Sequence, residues 1–446
     1  MRIVICGAGE VGSHAAEVLV RADHAVTIID LDAERLRPIE DSIDARTVVG
    51  NCARADILLE AGVAGCDLLV AATDCDEVNL LTSALGKRIG ATKTVARVHE
   101  FDFADRRGFD YGDVLEIDHL ICPEFSTSIA IAQNIRNPAA LAVEIFARGQ
   151  VEMQQFEITG GSSAVGRPLS EITMPRGARL AGILRDGEVS IPDSSSVINE
   201  GDEVVLVADA PSYDAARKIF HEEKKVRRSI VVLGGTRMAE WVCRTLRGKP
   251  FAIRLFERDR EVAERLAAEL DWVTVLHGDV TDPAMFAEER IAEADHFVAL
   301  LEDDEVNIIG GVLAKLRGVD TVTVVVQRSA YLDSVYSIGL DRAYSPRTVA
   351  AKQIEEALDV DVVRTVSSLA DGGVSVFRVG VGAACELAGK RLRTVKLTPD
   401  WSVLAVQRGE KTWVPHADDE VLVGDEVLVL GRTEHRDRLV EIFDAG

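Results

Sequence analysis

The chain has 446 residues, 47% apolar and 28% charged, which is ordinary for globular protein and excludes a disordered one. Its 50 basic and 74 acidic residues leave a net charge of −24, which argues against nucleic acid and against adhesion to an anionic membrane surface, since both need clustered Lys and Arg. The same charge leaves open docking on the basic cytoplasmic loops of a membrane protein.

Length alone suggests roughly three domains, at about 150 residues each. No apolar run approaches the ~18 residues that would span a bilayer, and Met1 leads directly into a strand-like Arg2-Ile3-Val4-Ile5-Cys6. Neither membrane insertion nor a signal peptide is expected. The seven cysteines are odd in number and include no Cys-x-x-Cys pair, so free thiols in a reducing compartment are expected.

In chain order, β-branched runs near 2–6, 25–30, 46–49, 67–71, 93–98 and 114–117 read as strands, with helices between them, for example 11–21 and 75–89. Alternating strands and helices indicate a parallel sheet covered on both faces. A glycine loop after the first strand indicates a doubly wound, Rossmann-like nucleotide-binding fold. A helix over 123–136 leads into a smaller α+β module, with strands at 155–158 and 203–207 and turns at Asp186-Gly187 and Gly201-Asp202.

The pattern then recurs. Residues 2–12 (RIVICGAGEVG) match 229–239 (SIVVLGGTRMA), placing Gly7 on Gly234, a displacement of 227. VVGN (48–51) matches LHGD (276–279), DLLVAATDCDEVN (67–79) matches DHFVALLEDDEVN (295–307), and IDHLICPE (117–124) matches LDRAYSPR (340–347). In the small modules Gly201-Asp202-Glu203-Val204 recurs as Gly424-Asp425-Glu426-Val427. The chain is therefore a tandem duplication. The expected domains are 1–140 and 227–360 (Rossmann-like) and 141–226 and 361–446 (small α+β), with a second linking helix at 346–358. Lys224-Lys225-Val226-Arg227-Arg228 is the expected seam between copies, a solvated linker.

Gly7-Ala8-Gly9-Glu10-Val11-Gly12 follows a strand, opens a helix, and has Asp30 at the end of the next strand. Gly7 suits the tight turn, Gly9 lets backbone N–H groups approach a pyrophosphate, and Gly12 lets helix and strand pack closely. A carboxylate at Asp30 suits ribose hydroxyls and repels a 2′-phosphate, favouring NAD(H) or an adenine nucleotide over NADP(H). The plain alternative is a glycine turn without a ligand. The second loop, Gly234-Gly235-Thr236-Arg237-Met238-Ala239, carries the β-branched Thr236 where phosphate oxygens would approach, while Glu257 remains as its ribose acid. It is either a second nucleotide site or a pseudo-site that only packs.

Ala72, Thr73 and Asp74 end the fourth strand and line the crevice. Asn79 and Asn307 either cap local backbone or contact a neighbouring subunit. Arg97 either reaches phosphate or forms a salt bridge. The acidic stretches 74–77 and 302–305 either hold a divalent ion or serve helix N-termini. His14 reads as surface or packing. No Tyr-x-x-x-Lys pair, Gly-x-Ser-x-Gly, Walker A lysine, His-Glu-x-x-His or zinc-spaced Cys/His cluster is present. A duplicated nucleotide fold without a catalytic acid or base suggests a ligand-driven sensor rather than an enzyme. The alternatives are an NAD-dependent oxidoreductase and an assembly protein with a structural nucleotide.

These residues resemble the TrkA family, built from tandem RCK (KTN) units, each a TrkA-N domain followed by a TrkA-C domain. The likeness rests on residues 2–5 and 7–12, Asp30, Ala71-Ala72-Thr73-Asp74, Asp76-Glu77 with Asn79, Ala96-Arg97-Val98, and residues 118–121 with Pro123-Glu124. In copy two it rests on residues 256–259, Gly278-Asp279, residues 304–307, and Gln327-Arg328 with Tyr331. The resemblance implies a cytoplasmic subunit, peripheral at the inner face of the membrane, that forms a homodimer or homotetramer ring beneath a membrane-embedded Trk-type potassium channel subunit. NAD(H) or ATP/ADP would gate potassium flux. Gly7 through Gly12, Asp30, Asn51, Thr73, Asp74 and Arg97 are its first-site candidates. Gly234 through Ala239, Glu257, Asp279 and Glu302 are its second-site candidates. Thr236, Leu301 in the place of Thr73, and His99 where relatives often carry a basic residue depart from the pattern.

Overall fold

The computed structural model describes residues 1–104, 109–136, 140–146, 150–185, 188–220, 227–279, 283–358, 363–369, 373–395, 401–409 and 411–443. Two compact units emerge. One joins Met1–Ala132 with Val226–Asp359, and the other joins Gln133–Lys225 with Val360–Gly446. Each unit thus joins the corresponding domains of the two repeats.

In the first unit, β1 (Arg2–Cys6), β2 (Ala25–Asp30), β3 (Ala45–Val49), β4 (Leu68–Ala71), β5 (Lys93–Arg97) and β6 (His119–Ile121) form a parallel sheet in the order β3-β2-β1-β4-β5-β6. This is the doubly wound order, with its topological switch between β1 and β4. The central strands bury both faces: Ile3, Val4, Ile5 and Cys6 are at most 2% exposed, and each apolar side chain so buried contributes roughly 1.5–3 kcal/mol. The second repeat builds the same sheet from 228–233, 251–257, 274–277, 296–299, 321–325 and 342–344.

One expected strand is displaced. Residues 111–114 form a helical turn capped by Asp110, whose carboxylate accepts the Asp113 N–H at 3.0 Å. Glu116 then turns with φ +55°, and pairing with β5 begins only at His119, opposite Val95. The apolar 114–117 run reads as a strand by composition, but the Asp110 cap takes its start into a helix.

The linking helices are exchanged between repeats. Pro346–Leu358 of the second repeat buries Ala350, Ile354, Ala357 and Leu358 in one core with Ala16, Leu19 and Ile121 of the first. In return Phe125, on linking helix Pro123–Arg136, meets Trp241 of the second repeat edge-on at 5.5 Å. Lys93 Nζ donates to the Ala357 carbonyl at 2.8 Å.

In the second unit each repeat contributes a five-stranded antiparallel sheet, of strands 140–146, 151–157, 178–185, 188–190 and 203–209 and of strands 363–369, 374–380, 401–408, 411–413 and 426–432. The recurring Gly-Asp turn has one purpose in both. Gly201 and Gly424 take φ +84° and +89°, and Asp202 and Asp425 then accept bidentate bonds from Arg185 and Arg408. Asp186-Gly187 and residues 224–226 of the seam lie outside the described residues. Among the described residues no helix is long and apolar enough to cross a membrane.

Candidate functional site

The first glycine loop lies at the carboxyl end of β1, beside the switch point. Gly7 has φ +104°, and a Cβ there would stand 2.7 Å from the Ala72 carbonyl oxygen. A Cβ on Gly12 would stand 1.9 Å from the Gly7 oxygen, so only glycine allows this approach of helix Glu10–Arg21 to the strand. Gly9 differs. Its φ of −70° suits any residue, and a Cβ there would meet only Asp74 Oδ1 at 3.8 Å and Arg35 Nη1 at 4.0 Å. The space before Gly9 is therefore open. Gly9 is also the helix N-cap, and no side chain caps it, so the N–H groups at the helix start face this opening. A diphosphate fits such a cradle.

Asp30 closes one side. Its Oδ2 accepts the Ala8 N–H at 2.6 Å and its Oδ1 the Asp32 N–H at 2.8 Å. The carboxylate thus sits on the loop, where ribose hydroxyls could exchange with it. Ala8 and Val11 are buried beneath. Thr73 is fixed by Asn79: the Thr73 N–H and hydroxyl both donate to Asn79 Oδ1, at 2.8 and 2.7 Å. Asn79 in turn donates to the Thr73 and Arg97 carbonyls, tying the tips of β4 and β5 together. Of the two readings for Asn79, local backbone capping is the one observed. Asp74 lies 3.6 Å from Arg35 across the mouth of the loop.

Arg97 is buried and its Nη2 pairs with Glu124 at 2.5 Å, so the salt bridge is the contact seen in this structure. Asn51 makes a local turn, accepting the Ala53 N–H at 2.9 Å, and remains exposed. Glu10 pairs with Arg347 of the second repeat's linking helix. In the acidic stretch 74–77 the inner residue has a structural task. Asp76 accepts the His99 and Glu100 N–H groups and meets the His99 ring at 2.7 Å. Burial opposes its charge, but these donors outweigh burial and hold the carboxyl below the usual range.

The second loop follows the same path with a different chemistry. Gly234 has φ +98°, and Glu257 accepts the Gly235 N–H at 2.6 Å and the Asp259 N–H at 2.7 Å, reproducing Asp30. Thr236 does not project into the opening as its β-branch suggested. Its hydroxyl donates to the Leu300 carbonyl at 2.9 Å and accepts the Ala239 N–H at 3.3 Å, capping helix Arg237–Thr245 from within. The donors that the first loop leaves open are partly satisfied here. A Cβ on Gly235 would meet Glu257 Oε2 and Leu266 Cδ1, both at 2.8 Å, so this loop is also crowded from the side. Met238 and Ala239 are buried, and Arg237 pairs with Glu100 at 3.0 Å. Asp279 lies 3.6 Å from Arg258, and Glu302 is exposed at the tip of the fourth strand. Asn307 repeats the bonds of Asn79, donating to the Leu301 and Val325 carbonyls.

Sequence reasoning missed Arg35. It lies on the helix after β2, three residues past the capping Asp32, and is the cation nearest the Gly9 opening. The equivalent position after the capping Asp259 is Val262, which gives the second loop no such cation. A comparison of the two copies at that position carried the signal.

Comparisons with known proteins agree with this architecture. The TrkA-N domain family matches residues 3–123 and 230–346, and the TrkA-C domain family matches 153–221 and 376–444. A Trk system potassium uptake protein TrkA homolog from Archaeoglobus fulgidus is 31% identical over 443 residues, covering 99% of this chain and 100% of that protein. Among solved structures, the GsuK RCK domain is similar with a TM-score of 0.60 at 18% identity, covering 100% of this chain and 95% of that one. The GsuK channel bound to NAD is similar with a TM-score of 0.59 at 18% identity, covering 100% of this chain and 79% of that one.

Proposed function

The chain belongs to the TrkA family of tandem TrkA-N and TrkA-C domains, and from that premise we propose that it is a nucleotide sensor that gates a Trk-type potassium channel. It acts at the cytoplasmic face of the membrane, as a homo-oligomer docked on the membrane-embedded subunit, and it is not an enzyme. The ligand is NAD(H) or ATP/ADP, held at the first loop.

The observation that carries this reading is the open, uncapped helix start at Gly9 with Asp30 at its side. A diphosphate would take the N–H groups at the start of helix Glu10–Arg21, and Arg35 would meet its charge. A ribose would compete with the Ala8 N–H for Asp30. Loop and ligand therefore exchange partners, and a ligand that prefers one arrangement shifts the balance between two states. The second loop, capped by Thr236 and without a cation at Val262, is a weaker site or a packing element. The GsuK channel is known bound to NAD, which supports the same ligand class here.

Calorimetric titration with NADH and with ATP tests the assignment. Gly9→Val is the informative variant, because its side chain enters open space in the ligand-free fold yet occupies the phosphate approach. We expect wild type to bind one of these nucleotides and Gly9→Val to lose at least tenfold in affinity while its melting temperature falls by only about 1–3 °C, the cost of a poorer N-cap residue. Equal binding by both would reject the site.

A further inference from the structure

The two repeats share a fold and exchange linking helices, so either could in principle pair with a second copy of itself. At three pairs of equivalent positions, however, their charges are opposite. Glu10 and Arg237 each open the helix after the glycine loop. Glu124 and Arg347 each follow the proline that starts a linking helix. Glu100 and Arg328 each donate a backbone N–H to the buried aspartate of their repeat, Asp76 or Asp304. At all three the first repeat carries an acid and the second an arginine.

We propose that this inversion is a recognition code that makes the seam accept only the unlike repeat. Among the described residues two ion pairs cross it, Glu10 with Arg347 and Arg237 with Glu100, the latter at 3.0 Å. In a pairing of like repeats, Glu10 would face Glu124 in the place of Arg347, and Arg237 would face Arg347 together with Arg328, although Glu124 and Arg328 also have partners in their own repeats, Arg97 and Glu305. Arg237 and Glu100 are both largely exposed, and such a pair adds little stability, whereas Glu10 is exposed but its partner Arg347 is mostly buried. Their information lies in the mismatch, because like charges brought together cost more than a lost exposed pair. Shape repeats the asymmetry. Phe125 and Trp241 meet on one side of the seam, while the equivalent positions hold Thr348 and His14. A tandem chain so coded pairs its own two halves and does not cross-associate through like halves.

The test uses the full chain without nucleotide, so its outcome is independent of what either loop binds. Melting temperature and mass by light scattering are compared for four proteins. Neutral Glu10→Gln/Glu100→Gln removes both pairs. Half-inverted Arg237→Glu/Arg347→Glu sets like charges together. Fully inverted Glu10→Arg/Glu100→Arg/Arg237→Glu/Arg347→Glu restores opposition. We expect a fall of roughly 1–2 °C for the neutral variant, which leaves the mostly buried Arg347 without its partner, and roughly 3–6 °C for the half-inverted one. The fully inverted chain should recover at least half of that fall at wild-type mass. The code is rejected if the neutral and half-inverted chains lose equally, since the pairs then only stabilise. It is rejected also if half inversion changes nothing, or if full inversion recovers nothing.

Discussion

Thr236 shows how a single residue sets the two loops apart. At the position of Gly9 it has a hydroxyl that caps its own helix and reaches the Leu300 carbonyl. Removing an N-cap threonine costs about 1 kcal/mol, whereas glycine in that place costs only a few tenths. Thr236→Ala should therefore lower stability by about 1 kcal/mol in urea denaturation, and Thr236→Gly by clearly less. Equal losses would mean that the hydroxyl is not the cap. The sequence made the difference between the loops visible but not its sense. A β-branched residue in a glycine position reads as an obstacle, and only the Leu300 carbonyl within reach turns it into a cap. Gly7 and Gly12 were legible in full, because each answers a backbone constraint that the strand-loop-helix pattern already contains. Arg97 was not, since its partner Glu124 is distant in sequence and the strand pattern says nothing of it.

Among the elements, the central strand 296–299 of the second repeat contains a buried histidine where β4 of the first repeat has Leu68. His296 is 4% exposed, and burial pushes its pKa down to about 4. The folded value lies below the unfolded value of about 6.5, so the neutral ring is favoured in the fold. Its contribution is fully present above pH ~6.5 and is lost as the pH falls from there toward about 4. Between pH 7.5 and pH 5 the wild type should lose on the order of 2 kcal/mol more than His296→Gln in chemical denaturation. Identical slopes for the two proteins would contradict this. Most elements were legible from the alternation of apolar runs and helical stretches. The 114–117 run was not, because its outcome turns on the Asp110 cap and the left-handed turn at Glu116 rather than on its composition.

At the scale of the whole molecule the duplication was legible from a register held across both copies. The helix exchange within the first unit was not. It rests on apolar faces of Pro346–Leu358 and on aromatic contacts that sequence order does not announce. That exchange ties the first glycine loop to the second repeat through Glu10 and Arg347. A change at the loop therefore has a route into the other half of the chain. The most direct test of the gating claim is potassium flux into vesicles containing the cognate membrane channel subunit and this protein, with and without NADH or ATP. Flux should change severalfold on adding the nucleotide that calorimetry identifies, and Gly9→Val should abolish the change while still associating with the channel. Flux indifferent to a nucleotide that demonstrably binds, or an unaltered response in Gly9→Val, would contradict the account.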